Sequence, residues 1–152
     1  MEYISTRNKN LNYNFKEIFL RGLAPDGGLF VPKKIKTFNK FEIEELSKLS
    51  YIDLATEIIS LFSSPEIDKN NLKELIKKSY QSFTTKEVIK IKKVGDLNLV
   101  ELYHGPTLAF KDIAMQVLGN LYDELRASST KAVNIVVATS GDTGSAAIAA
   151  LN

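Results

Sequence analysis

Residues 98–126 read NLVELYHGPTLAFKDIAMQVLGNLYDELR. Asn98–Tyr103 is a short apolar run of strand type, and His104-Gly105-Pro106-Thr107 follows it as a small-residue loop. From Thr107 to Arg126 the apolar residues recur at helical spacing. Leu108, Ala114, Leu118, Leu121 and Leu125 fall on one face together with Lys111, while Asp112, Gln116 and Asp123 share the other. Lys111 is thus the only charge on its stripe. An ammonium group in that stripe, one turn from the positive end of a helix, is disfavoured by desolvation and by the helix dipole, which makes the amine a better nucleophile. A neutral amine beside a phosphate-accepting backbone is what imine chemistry with an aldehyde cofactor requires. The plain alternative for a lone lysine is to snorkel along a partly exposed helix edge.

A second signal follows thirty residues on. Lys131–Thr139, KAVNIVVAT, is a β-branched apolar run of the kind that forms a strand buried on both faces. Ser140-Gly141-Asp142-Thr143-Gly144-Ser145 comes next, then the apolar helix start AAIAAL. Strand, loop and helix therefore occur twice. Both loops are expected at the carboxyl ends of parallel strands and the amino ends of helices, where open α/β sheets bind ligands and backbone N–H groups attract anions. Asp142 and Thr143 can also serve simply as caps of the last helix, a role compatible with ligand binding at the same end.

HGPTLAFKD (104–112) together with ATSGDTGSAA (138–147) resembles threonine synthase, a family of fold-type II pyridoxal-phosphate enzymes. YISTRN (3–8) and GLAPDGGLFVP (22–32) are similar to the opening of the same family. The resemblance implies an α/β chain: a small α+β N-terminal domain over residues 1–96, then at 97–152 the start of the open α/β domain of a fold-type II enzyme. It also implies pyridoxal 5'-phosphate held by Lys111 as an internal imine, with the released amine moving protons between Cα, Cβ and C4′ of the substrate adduct. The substrate is then O-phospho-L-homoserine, converted with water to L-threonine and phosphate. Ser140, Gly141, Asp142, Thr143 and Gly144 match the loop that lies against the cofactor, with Ser140, Thr143 and His104 expected on the substrate side. Asp142 replaces the asparagine of other fold-type II enzymes but agrees with threonine synthase. A carboxylate beside a substrate carboxylate is repulsive, so Asp142 is expected to point away or to anchor its own loop. A histidine at a strand end is equally read as a hydrogen-bonded structural residue.

The family is much longer than 152 residues, and the cofactor's phosphate loop is expected in a later domain. The chain is accordingly expected to be an N-terminal fragment, inactive alone, that self-associates, with residues 132–152 at the contact or else disordered. Two other roles stay open: a threonine synthase-like phospho-lyase acting on phosphorylated amino acids, and a non-catalytic interaction module.

Composition narrows the classes. Lys+Arg 20 against Asp+Glu 18 leaves a net charge of +2, which offers no electrostatic footprint for nucleic acid or a membrane surface. The absence of cysteine excludes disulfides and thiolate metal sites, and a cytoplasmic setting is expected. One histidine excludes a His-based metal cluster within the chain. No Walker loop and no G-x-G-x-x-G are present.

Residues 1–90 read as scaffold. Glu2–Thr6 alternates like a strand, Asn14 caps a short helix ending at Gly22, and Pro25-Asp26-Gly27-Gly28 turns the chain into a strand at Leu29–Val31. Helical patterns run from Phe41 to about Phe62 with a break near Ser50, Ser63-Ser64-Pro65 stops them, and Asp68 caps the next helix. Glu87–Lys93 and Asn98–Tyr103 are expected to pair as a hairpin about Val94-Gly95-Asp96.

Overall fold

Helices in the first half of the chain begin where a side chain can take up the amides that a helix leaves open at its amino end. The computed structural model describes residues 1–127 and 134–151. Strand β1 (Tyr3–Ser5) is followed by helix α1 (Phe15–Arg21), strand β2 (Phe30–Pro32), and helices α2 (Lys40–Leu46), α3 (Tyr51–Ser63) and α4 (Lys69–Ser79). The first compact unit, Met1–Glu74, ends within α4. Asn14 and Glu17 close a reciprocal capping box on α1, with both bonds at 2.9 Å, and Gly22 ends that helix at φ +74°. Asn39 and Glu42 repeat the box on α2. Ser50 caps α3, and the Asp68 carboxylate accepts from the Asn70 and Asn71 amides at the start of α4. The expected breaks at Gly22, Ser50 and Asp68 are all present.

Strands β1 and β2 pair antiparallel, with Tyr3 opposite Pro32 and Ser5 opposite Phe30. Tyr3 is the anchor of this unit. Its ring is buried within 6.5 Å of Phe15, and its hydroxyl donates to the Phe62 carbonyl at 2.8 Å. Burial, aided by the nearby Glu66 charge, pushes the Tyr3 hydroxyl up to about 12. The turn before β2 is built around Asp26, whose Oδ1 accepts from Ser5 Oγ at 2.7 Å and from the Gly28 amide at 2.9 Å. Those two bonds hold the Asp26 carboxyl below its usual range. Gly28 has no room for a side chain, because a Cβ there would lie 2.2 Å from Ser5 Oγ.

The second unit begins at Leu75. It contains the end of α4, strands β3 (Lys90–Val94) and β4 (Leu97–Glu101), and helices α5 (Asp112–Arg126) and α6 (Asp142–Leu151). The expected hairpin is formed: β3 and β4 pair from Lys90 opposite Glu101 to Val94 opposite Leu97, around Gly95 at φ +59°. The buried residues include Ile76, Tyr80, Phe83, Val88, Val117, Leu121, Leu125, Ala146 and Ala147. Tyr80 meets Phe83 edge to face at 5.1 Å, and its hydroxyl donates to the Ile113 carbonyl at 3.0 Å. Helices α5 and α6 pack closely at Gly119, where a Cβ would lie 2.4 Å from the Ala150 carbonyl oxygen.

Three expectations are corrected here. Residues 134–139 form no strand and are exposed, with Val136 92% accessible; among the described residues no neighbouring strand supplies a ladder for them. The remainder of that expected strand, 131–133, lies outside the described residues. Both sheets are antiparallel pairs, so the two parallel strands are not found among the described residues. Helix α5 starts at Asp112 rather than Thr107, because Leu108 stands at φ +59°, a conformation that no right-handed helix contains. Its buried face carries Asp112, Gln116, Val117, Gly119, Leu121 and Leu125, while Leu108 and Leu118 are exposed. The face is turned from the expected one because α6 comes in over Gly119 and Asp112 is drawn inward by donors behind it.

Gly28→Ala is expected to destabilise the protein by about 1–3 kcal/mol, the usual cost of an atom forced into filled space. A lowered urea midpoint at unchanged slope is the measurement, and an unchanged midpoint contradicts the assigned contact.

Candidate functional site

The loop between β4 and α5 is tied at both ends. The Asp112 carboxylate has no exposed surface; its Oδ2 accepts from the Thr107 amide and its Oδ1 from the Thr107 hydroxyl, each at 2.8 Å. Gly105 lies directly behind, where a Cβ would stand 2.4 Å from that of Asp112. The Leu108 amide donates to the Gly105 carbonyl, and the Asp112 amide to that of Ala109. Lys111 is the last residue before the helix. Its carbonyl accepts from the Ala114 and Met115 amides, so its backbone is fixed by the first turn. Its side chain is half-buried, with Nζ 4.8 Å from the centre of the Phe110 ring. Lys111 therefore stands at the mouth of the helix, not within an apolar stripe.

His104 sits at the other end of the loop. Its Nε2 is 2.9 Å from Glu101 Oε2, its Nδ1 faces the Thr84 hydroxyl at 3.4 Å, and the Thr84 amide donates to its carbonyl at 2.9 Å. Glu101 is 3% exposed and pairs through its other oxygen with Lys92, two residues off the direct cross-strand partner. The Lys92 ammonium, helped by bonds from His104 and Tyr103, overcomes burial and holds the Glu101 carboxyl down to about 2. The same pairing raises Lys92, and a hydrogen bond to Glu101, with burial, raises the Tyr103 hydroxyl.

Residues 139–145 form the second loop. Thr139 Oγ1 accepts from the amides of Gly141 and Gly144, each at 3.1 Å, and the Ser145 amide donates to the Gly141 carbonyl at 2.8 Å. Gly141 stands at φ +135° with no atom within 4 Å of where a Cβ would be. Ser140, Gly141 and Asp142 are exposed, Thr143 is half-buried and Gly144 is buried. Asp142 opens α6, where a carboxylate suits the positive end of the helix. Among the described residues no group of three or more metal-ligating side chains occurs, and no helix is long and apolar enough to cross a membrane.

Sequence reasoning placed Ser140–Gly144 at a loop–helix junction, where they are found, but put Lys111 one turn inside a helix on an apolar stripe, whereas it is the last residue before α5. It missed Asp112, assigned to the outer face, and the Lys92–Glu101–His104 chain. Threonine and aspartate five residues apart across a helix start were the available signal for the first; the second needed the hairpin register.

A family model described as the threonine synthase N terminus matches residues 2–80, just over half of the chain. The chain belongs to the threonine synthase family. It is 43% identical over 150 residues to threonine synthase-like 2 of Xenopus laevis, covering 97% of this chain and 32% of that protein. It is 42% identical to the threonine synthase of Schizosaccharomyces pombe, with 97% and 31% covered. Its structure matches the crystal structure of yeast threonine synthase with a TM-score of 0.92 at 42% identity, covering 99% of this chain and 33% of that one. The pyridoxal-phosphate-bound threonine synthase of Brucella melitensis gives 0.91 at 38% identity, over 99% and 33%. The chain thus spans about a third of the length of these relatives. The mixed α/β fold expected for the N-terminal region of this family is the fold observed.

Glu101 gives a pH test. Its folded value, about 2, lies below the 4.5 of a free glutamate, so its contribution to stability is present above 4.5 and is lost as pH falls toward 2. Urea midpoints measured across that window are expected to fall more steeply for the unaltered protein than for Glu101→Gln; parallel curves would contradict the pairing.

Proposed function

We propose that this chain carries the lysine-bearing part of a threonine synthase, which converts O-phospho-L-homoserine and water to L-threonine and phosphate. The observation that carries this reading is Lys111 at the head of α5, on a loop fixed from both sides, in a chain of the threonine synthase family. Pyridoxal phosphate, when bound, supplies an electron sink for charge developing at the carbon atoms of an amino-acid substrate. The residues fit such a group: a half-buried primary amine stands at a helix mouth, and a glycine loop with open space at Gly141 leads into the amino end of α6. Lys111 would hold the cofactor, and its freed amine would take up and return the proton at the substrate Cα. Ser140 and Thr143 would receive anionic groups through amide and hydroxyl donors, while Gly141 and Gly144, their amides closed on Thr139 Oγ1, would shape the loop against the cofactor. Asp142 would stabilise its own helix end. His104, turned to Glu101 and Thr84, would support the loop beside the substrate.

A cytoplasmic protein without nucleic-acid or membrane partners accords with this reading. The domain limits proposed are 1–96 and 97–152. Exposed apolar residues on β3 and β4, among them Ile91, Leu97 and Leu99, favour self-association of residues 1–152 when isolated. Light scattering that finds only monomer at high concentration would contradict it.

A second reading is a threonine synthase-like phospho-lyase, left open by nearly equal identity to threonine synthase-like 2 of Xenopus laevis and to the threonine synthase of Schizosaccharomyces pombe, 43% and 42%. The full-length protein containing this sequence is expected to release threonine and phosphate from O-phospho-L-homoserine; 2-oxobutyrate in place of threonine would select the lyase. Lys111→Ala is expected to lower turnover by roughly 10²–10⁴-fold, the range for a positioned acid–base group. Borohydride is expected to fix a pyridoxyl label on Lys111, and labelling of another lysine would refute the assignment.

A further inference from the structure

We propose that Asp112 is the positioning residue for Lys111: its buried carboxylate, closed on Thr107, fixes the loop that aims the lysine amine. The inference rests on the reading of Lys111 given above. Asp112 has no exposed surface and both of its oxygens are engaged by one residue, so it is not available to touch cofactor or substrate. Its effect must pass through the loop.

The loop needs such a tie. Leu108 holds φ +59°, which is unfavourable for a residue with a side chain and persists only where the surroundings enforce it. Packing of its own side chain does not enforce it, because Leu108 is 68% exposed. The bonds on either side do. Thr107 is held through its amide and its hydroxyl by Asp112, and the Leu108 amide is held by the Gly105 carbonyl. Gly105 completes the enclosure, since any side chain there would displace the carboxylate. Beyond the loop, Tyr80 bonds the Ile113 carbonyl and so ties down the first turn of α5. Lys111 lies between these two fixed points, and its side chain is the freedom that remains. A carboxylate at the first position of α5 is also favoured by the helix dipole.

The test compares Thr107→Val, Thr107→Ser and Asp112→Asn in the full-length protein containing this sequence. Each is scored by melting temperature, by the rate at which pyridoxal phosphate and borohydride label Lys111 per folded molecule, and by amide exchange at Leu108. Thr107→Val removes the hydroxyl donor at nearly constant shape and is expected to stay folded, to label Lys111 at least roughly tenfold more slowly, and to exchange the Leu108 amide faster. Thr107→Ser restores the donor and is expected to label at the unmodified rate. Should Asp112→Asn fail to fold, the Thr107 pair decides. A folded Thr107→Val protein that labels Lys111 at the unmodified rate overturns the positioning role alone. Absence of a Lys111 label in the unmodified protein overturns both this role and the cofactor reading.

Discussion

A carboxylate without solvent must find its donors inside the protein, and Asp112 takes both of them from Thr107. The second unit is arranged around that requirement. The exclusion of a helix at 107–111, the left-handed Leu108, the bare Gly105 and the inward turn of the first residue of α5 are one geometric solution. None of these features is stable by itself. A backbone in the left-handed region is unfavourable for leucine, and a glycine costs entropy, yet each gives the carboxylate the approach it needs. The charge fixes the loop, and the loop delivers Lys111 to the helix mouth.

The first unit uses the same chemistry in another place. Asp26 accepts from the Ser5 hydroxyl and the Gly28 amide, and Gly28 is bare because Ser5 Oγ occupies the volume of its Cβ. In both units one aspartate closes a turn through a hydroxyl and an amide, with a glycine pressed against the closure. The Asp26 turn sets the start of β2 against β1, and the Asp112 turn sets the start of α5. Short two-stranded sheets are marginal by themselves. Side-chain closures of this kind supply part of the definition that such sheets lack.

Local chemistry was legible in the sequence wherever one residue acts on its near neighbours. Asn14, Gly22, Ser50 and Asp68 mark helix ends because the capping partner is within four residues. The β3–β4 hairpin was legible for the same reason, through Gly95 and the alternation on either side of it. The residues beside the candidate site were harder. Asp112 and Gln116 look like an outer face, since polarity is the usual guide to exposure, and that guide fails where a carboxylate is fed by backbone and hydroxyl donors. KAVNIVVAT has the composition of a buried strand, but composition does not supply a ladder partner, and Ile135, Val136 and Val137 are exposed. The loop position of Ser140–Gly144 was readable because it precedes an apolar helical pattern, whereas Lys111 matches the spacing of the helix it stands in front of and was read into it. Their surroundings depend on contacts at longer range.

The meeting of α5 and α6 at Gly119 acts as a ruler. The Ala150 carbonyl fills the volume a side chain would take at residue 119, so the two helices have one admissible offset there. A helix advances about 1.5 Å per residue, and a slip by a single position would carry the whole of α6 that far along its axis. The amino end of α6 holds Asp142 and the loop before it, so the height of that loop is set at its far end, near Ala150. A glycine in the middle of one helix thereby calibrates the opposite tip of another.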